Sequence, residues 1–399
     1  MKISPAFVPR WNGVTFPRIA VACLAVVAGC IGPIARAQSR AALDVQKARE
    51  NYVKTTGVKR SYTREWDLSG LPSYKPEGAV AGKIRIWGLN YLGDGYLAKY
   101  WEEGFRKYHP EVEFEYNLPT ALIAVPGLVT GLADLGASRP ITFDELLLFQ
   151  RVFNHDPLEI MMVTGSYDTP GWSNAAAIVV HKDNPISQLT LKQLDGIFGA
   201  PRTGGHVGTA WDPKAARGRE GNIRTWGQLG AKGEWADKPI NIYSVNLRFH
   251  IPRFIEKVVF QGSNKWNEDL REYSNFARPD GTLALTSQTM MKDLGQDPYG
   301  IAITGVQDVN AQTRTVALAA HEGGPYVPLT LENVQNRTYP LTGAEYWYLN
   351  REPGKPLDPK LREYLRYTLS REGQEAVARD GKFLPLTAEL AREQLKKLD

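Results

Sequence analysis

Cysteine is scarce in this chain of 399 residues: only Cys23 and Cys30 occur, both near the start. The body of the protein therefore has neither a disulfide framework nor thiol chemistry at its disposal. Acidic residues are missing before Asp44, whereas Lys2, Arg10 and Arg18 precede an apolar run from Ile19 to Ile34. That arrangement is a secretory leader, too short and too soon followed by polar sequence to read as a membrane span. No later run is long and apolar enough to cross a bilayer. Gly-x-Ser-x-Gly, P-loop and His-x-x-x-His patterns are all absent, and the six histidines are widely spread. An enzyme reading is left with His250 alone, beside Arg248, as a candidate acid–base group.

Two cleavage points compete. Ala35-Arg36-Ala37 offers small residues at the two positions a general signal peptidase reads, whereas Val27-Ala28-Gly29-Cys30 resembles a bacterial lipobox in which Cys30 is lipidated and retained. Removal of residues 1–37 takes away Lys2, Arg10, Arg18 and Arg36 and no anion, so the formal charge falls from +5 to +1. The exported protein is close to neutral, which removes the compositional case for nucleic acid as a partner. A periplasmic location is expected, with lipid anchoring through Cys30 as the alternative to a free protein.

What remains is ordinary globular sequence, 43% hydrophobic and 23% charged, enough for about two domains. Residues 38–82 are polar and mixed, and read as an N-terminal extension. Lys83–Trp87 is a strand, followed by an amphipathic helix carrying Leu97, Tyr100, Trp101, Phe105 and Tyr108; Val112–Tyr116 alternates as a second strand. A helix over about 121–132 then leads to the stretch around which the chain is organised, Asp134-Leu-Gly-Ala-Ser-Arg-Pro-Ile-Thr142. Asp134 to Ala137 suit a strand covered on both faces, and Thr142 with Glu145 forms a capping box for a helix to about Phe153. Short βαβαβ connections of this kind imply a parallel sheet with helical crossovers.

Ser138 and Arg139 fall where that strand ends, and ligands of open α/β sheets bind at the carboxyl ends of strands. A hydroxyl, a permanent guanidinium and a helix N-terminus together suit an oxyanion. Further on, strands are expected at 156–163, 175–182, 240–243, 299–304 and 344–349. Helices are expected after the Thr190/Gln193 box, at 254–260 and 287–294, after Asp358-Pro359, and from Ser370 to Gly381. The Gly-rich stretch Gly199–Gly221 reads as a mobile surface loop, with a docking site as the alternative.

From about Lys83 to Leu386 the chain resembles a family, the periplasmic phosphate-binding-like (PstS-type) solute-binding proteins of ABC importers. The resemblance is carried by Thr190-Leu-Lys-Gln-Leu-Asp-Gly-Ile-Phe198 with Thr225-Trp-Gly-Gln-Leu229, by Asp297-Pro-Tyr-Gly-Ile-Ala-Ile303, and by Tyr339–Leu349 with Pro353–Asp358 and Ser370–Gln374. It implies a two-lobed type II binding-protein fold, α/β with mainly parallel sheets flanked by helices and hinged around a cleft. Residues 83–174 and 306–399 are expected as the first lobe and 175–305 as the second. The implied function is reception of phosphate or a related oxyanion for a membrane permease, by a monomer with no cofactor, no metal and no enzymatic activity.

Carried over position by position, the family's contacts fall on Asn90 after the first strand, on Ser138 and Arg139, and on Thr286 or Ser287 near a late helix start. The family's Gly-rich anion loop is replaced by Tyr243-Ser-Val-Asn-Leu-Arg-Phe-His-Ile-Pro-Arg253, where Arg248 and His250 stand in the place of backbone N–H donors. Asn90, Ser138, Arg139, Arg248, His250 and Ser287 are thus the candidate ligand-binding residues. Trp87, Tyr91, Trp172 and Phe249 fall near expected cleft loops, a lining that suits a larger organic anion; for Trp87 core packing is the favoured reading. A non-transporting sensor or scaffold that kept the fold and dropped the anion nest is the remaining alternative.

Overall fold

The computed structural model describes residues 44–45, 47–48, 51, 62–169 and 175–399. The leader with its two cleavage points, Cys30, and Trp172 lie outside the described residues. The described residues divide into two compact units. The smaller includes Asn275–Ala284, where Phe276–Ala277 and Leu283–Ala284 pair antiparallel; the larger is Val58–Ser274 with Leu285–Asp399.

Ten strands build two sheets: β1 (Gly82–Gly88), β2 (Val112–Asn117), β3 (Leu135–Ser138), β4 (Leu158–Thr164), β5 (Ala176–His181), β6 (Asn241–Val245), β7 (Arg271–Tyr273), β8 (Gly300–Gly305), β9 (Thr313–Thr315) and β10 (Ala344–Leu349). The first sheet runs β2-β1-β3-β10-β4 and the second β7-β6-β8-β5-β9. In the first, β1 is parallel to β2 and β3, and β10 is antiparallel to β3 and β4. The second repeats the scheme: β6 is parallel to β7 and β8, and β5 is antiparallel to β8 and β9. This is the two-lobed α/β fold of type II binding proteins.

The odd strand of each sheet is the one by which the chain enters it from the other. The crossing segments hold each other, since Gly165 N–H donates to Gly343 O and Ala176 N–H to Leu341 O. β9 pairs on the edge of β5, so the second sheet draws on residues past 305, where the first lobe was expected to resume; the chain returns to the first sheet only at Ala344.

Composition explains the layers. β5 (Ala-Ala-Ile-Val-Val-His) and β8 (Gly-Ile-Ala-Ile-Thr-Gly) are buried along their whole length, as strands covered on both faces must be. One core gathers Ile84, Ile86, Trp101, Phe105, Trp347, Tyr364 and Leu365 around the first sheet. Another gathers Ile178, Val180, Leu194, Phe198, Trp226, Ile301 and Ile303 around the second. The part of the N-terminal extension around Leu71 and Tyr74 belongs to this packing, both side chains being buried in the first core. The Tyr74 hydroxyl donates to Glu363 at 2.5 Å and lies 2.7 Å from His109 Nε2.

The helix starts are set by local chemistry. Thr142 and Glu145 cap each other at the Phe143–Phe153 helix, and Thr190 and Gln193 do so at Leu191–Phe198. Asp358 precedes Pro359 at the first position of Pro359–Thr368, and Gly381, at φ 66°, ends Arg371–Asp380. The helix expected at 254–260 begins four residues earlier, spanning His250–Val258. Its Pro252 falls in the first turn, where the missing N–H has no partner to lose.

Gly199–Gly221 is not a structureless loop. Arg202 donates to both carboxylate oxygens of Asp195 at 2.7 Å and to Ala215 O at 2.8 Å, and Arg217 Nε lies 3.3 Å from the same carboxylate. This buried cluster anchors both ends of the stretch to the Leu191–Phe198 helix. Between them Gly205–Val207 and Ala210–Asp212 form a hairpin turning at Gly208-Thr209, with Gly208 at φ 60° in the position such tight turns reserve for glycine.

Candidate functional site

A cavity of about 1250 Å³ opens between elements of the two sheets. From the first sheet it is lined by residues 139–144 with Leu146, by the entrance to β4 (Asp156, Pro157, Glu159), and by Gly343, Ala344 and Tyr348 of the β10 region. From the second it is lined by the 201–212 stretch, by the start of the His250–Val258 helix, and by residues 261–265.

Arg139 leaves the end of β3 and turns onto the helix that follows. Its Nη1 donates to Glu145 Oε2 at 2.9 Å and to Pro140 O at 3.1 Å, and its Nη2 to Glu145 Oε1 at 3.3 Å. Glu145 also accepts the Thr142 N–H at 2.7 Å, so one carboxylate both caps the helix and orients the guanidinium. Both side chains are only 12% exposed. The pair is fixed in place, yet a guanidinium with five N–H groups keeps donors for a ligand.

His250 is the first residue of its helix. Phe249 supplies no side-chain cap there, and no acidic residue stands in the first turn. The Nε2 atom of His250 is buried and meets no hydrogen-bond partner within the protein. Burial and, secondarily, the nearby positive charge of Arg139 push the imidazole pKa down to about 4. His250 is therefore neutral at physiological pH, with one ring N–H to donate. Tyr348 completes this wall: its hydroxyl donates to Glu159 at 2.6 Å and accepts the Ile141 N–H at 3.2 Å.

Of the six residues singled out in the sequence, the structure brings Arg139 and His250 together on this cavity. The other four lie off its lining. Ser138 is fully buried, its hydroxyl 3.5 Å from Ala121 O. The Asn90 amide is spent on Asp94 at 2.6 Å, across a one-turn helix. Ser287, second in the Thr286–Leu294 helix, hydrogen-bonds the carboxylate of Asp308, whose pKa is raised by burial. Arg248 is exposed; its backbone N–H donates to Asn246 Oδ1 at 2.9 Å, closing the turn that starts the next helix.

The aromatic residues also sort differently. Trp87 packs in a small core with Val125, Leu128 and Phe149, and Tyr91 against the first core. Phe249 is exposed and off the lining. The rings at the cavity are Phe143, Trp211, Phe254 and Tyr348. Phe143 immediately follows the Thr142 cap and Tyr348 sits in the expected aromatic strand, so their places followed from elements already visible. Trp211 depended on recognising a hairpin whose strands have three residues each.

No family model matches the chain. Among curated proteins, the phosphate-binding protein PstS of Pseudomonas aeruginosa is 31% identical over 330 residues, covering 82% of this chain and 90% of that protein. Solved structures similar to the chain include PstS from Borrelia burgdorferi (14% identity, TM-score 0.49, covering 76% of this chain and 99% of that one). Another is an ABC-type phosphate transport receptor from Vibrio cholerae (15% identity, TM-score 0.46, covering 75% and 99%). By its identity with the Pseudomonas protein over nearly all of that protein's length, the chain belongs to the PstS family of phosphate-binding proteins.

Proposed function

We propose that the protein is an extracytoplasmic receptor of an ABC importer that binds phosphate or a related oxyanion in the cavity between its two sheets, and acts without cofactor or catalysis. The observation that carries this reading is the meeting of Arg139, the unpartnered Nε2 of His250 and the uncapped start of the His250–Val258 helix on one wall of that cavity. All three offer N–H donors and none brings an uncompensated negative charge. A helix N-terminus without an acidic cap is a natural seat for an anion. Because the donors come from both sheets, a bound anion would tie the lobes together, the ordinary basis of hinge closure. The closed form would then be read by a membrane permease. Among the described residues no helix is long and apolar enough to cross a membrane.

Isothermal titration calorimetry of the exported chain, freed of bound solute by unfolding and refolding, tests the proposal against phosphate, sulfate and molybdate. Saturable binding of one of these supports it. Absence of heat with all three contradicts it.

A further inference from the structure

The cavity holds more than an inorganic anion needs. Pockets that bury drug-sized ligands run to about 300–1000 Å³, and this one measures about 1250 Å³. Its arginines are already matched: Arg139 pairs with Glu145, Arg202 with Asp195 and Arg253 with Glu256. Among the described residues, the lining cations that stand outside any ion pair are Lys257 and Lys265, both exposed. Coulomb attraction for a small, dense dianion is accordingly limited, and tight binding calls for another source of free energy.

The lining supplies one in a row of rings. Phe143, from the first-sheet side, lies 4.7 Å between centroids from His206 on the 205–212 hairpin, and His206 lies 5.2 Å from Trp211, its cross-strand partner. The indole is seated and not loose: a Cβ on Gly204 would fall 2.4 Å from its Cζ2, so the indole occupies space that only glycine leaves free. The hairpin is tied to the opposite side as well, Thr209 Oγ1 donating to Gln150 at 2.7 Å. Yet Phe143 is 39% and Trp211 53% exposed while both line the cavity. Large rings in contact with one another and left half in water are surface made ready for a flat, apolar group.

We propose that the ligand is an oxyanion carried on an aromatic or similarly planar organic group, its acid at Arg139 and His250 and its body against Phe143, His206 and Trp211. This rests on the oxyanion reading above and narrows it.

Calorimetry of the stripped exported chain with phenylphosphonate, methylphosphonate and inorganic phosphate tests the inference. Burying one phenyl ring against these aromatics should make phenylphosphonate at least about tenfold tighter than either of the others. The half-exposed positions allow Trp211→Ala and Phe143→Ala to be read without loss of the fold. Each should bring phenylphosphonate to within roughly threefold of methylphosphonate while leaving phosphate nearly unchanged. Phosphate binding as tightly as phenylphosphonate, or an aryl preference that survives both substitutions, overturns the inference while leaving the oxyanion reading in place. Absence of heat with all three probes overturns both.

Discussion

His250 allows the geometry of the cavity wall to be checked without knowing the ligand. Its imidazole is held at a pKa of about 4 in the folded protein, first by burial and then by the charge of Arg139. In the unfolded chain it returns to about 6.5, so between these values the unfolded state binds more protons than the folded one. Stability contributed by the neutral ring is therefore complete above about pH 6.5 and is lost as pH falls through about 4. The full difference, about 2.5 pKa units at about 1.4 kcal/mol each, is roughly 3 kcal/mol, of which about 2 kcal/mol has gone by pH 5. His250→Gln removes the titrating group and keeps a polar side chain of similar reach. Urea denaturation at pH 7.5, 6 and 5 should show the native protein losing about 2 kcal/mol more than the variant across that range, other titrating groups cancelling in the comparison. Parallel losses within about 0.5 kcal/mol would mean that His250 titrates normally, and that a half-buried ring with an unpartnered Nε2 next to Arg139 is not how the wall is built.

Three further outcomes are expected. Arg202→Ala should destabilise the protein by about 3–5 kcal/mol, because it strands the buried Asp195 carboxylate beside Arg217 alone; a shift in thermal midpoint typical of a surface substitution would count against the anchoring role given to this cluster. Thr190→Ala, which breaks a capping box, should cost about 1 kcal/mol in denaturant unfolding. Glu145→Gln should raise oxyanion affinity about tenfold by calorimetry, since it withdraws the charge that competes for the Arg139 guanidinium; unchanged or weaker binding would show that the carboxylate positions Arg139 more than it competes with it.

Much of the fold was legible because its signals are short-range. The Thr142/Glu145 and Thr190/Gln193 boxes, the Asp358-Pro359 start and the Gly381 stop each depend on residues within a few positions of one another, and all are found where the sequence put them. Continuous apolar strands such as Ala176–His181 were equally plain. What escaped depends on distance or on very short elements. Nothing local announces that Asp195 faces both Arg202 and Arg217, and without that cluster a stretch rich in glycine reads as spacer. Trp211 stayed hidden with its hairpin. At the site, Arg139 and His250 lie on the cavity, but the surrounding expectation came from resemblance and met side chains with other engagements. Asn90 holds Asp94, Ser138 turns towards Ala121, and Arg248 is out in solvent, because the loop that should carry it closes into a helix two residues later. The missing glycines around Arg248 had already marked this as the place where resemblance would be least informative.

The most direct test of the proposed anion site is the oxyanion affinity of Arg139→Ala beside that of the native protein, measured by calorimetry with phosphate and with phenylphosphonate. Losing a charged hydrogen bond to an anion in the cavity should weaken both by about 2–5 kcal/mol, thirtyfold or more. Affinities equal to those of the native protein for both anions would remove Arg139 from the site and contradict the placement of the anion between the two sheets.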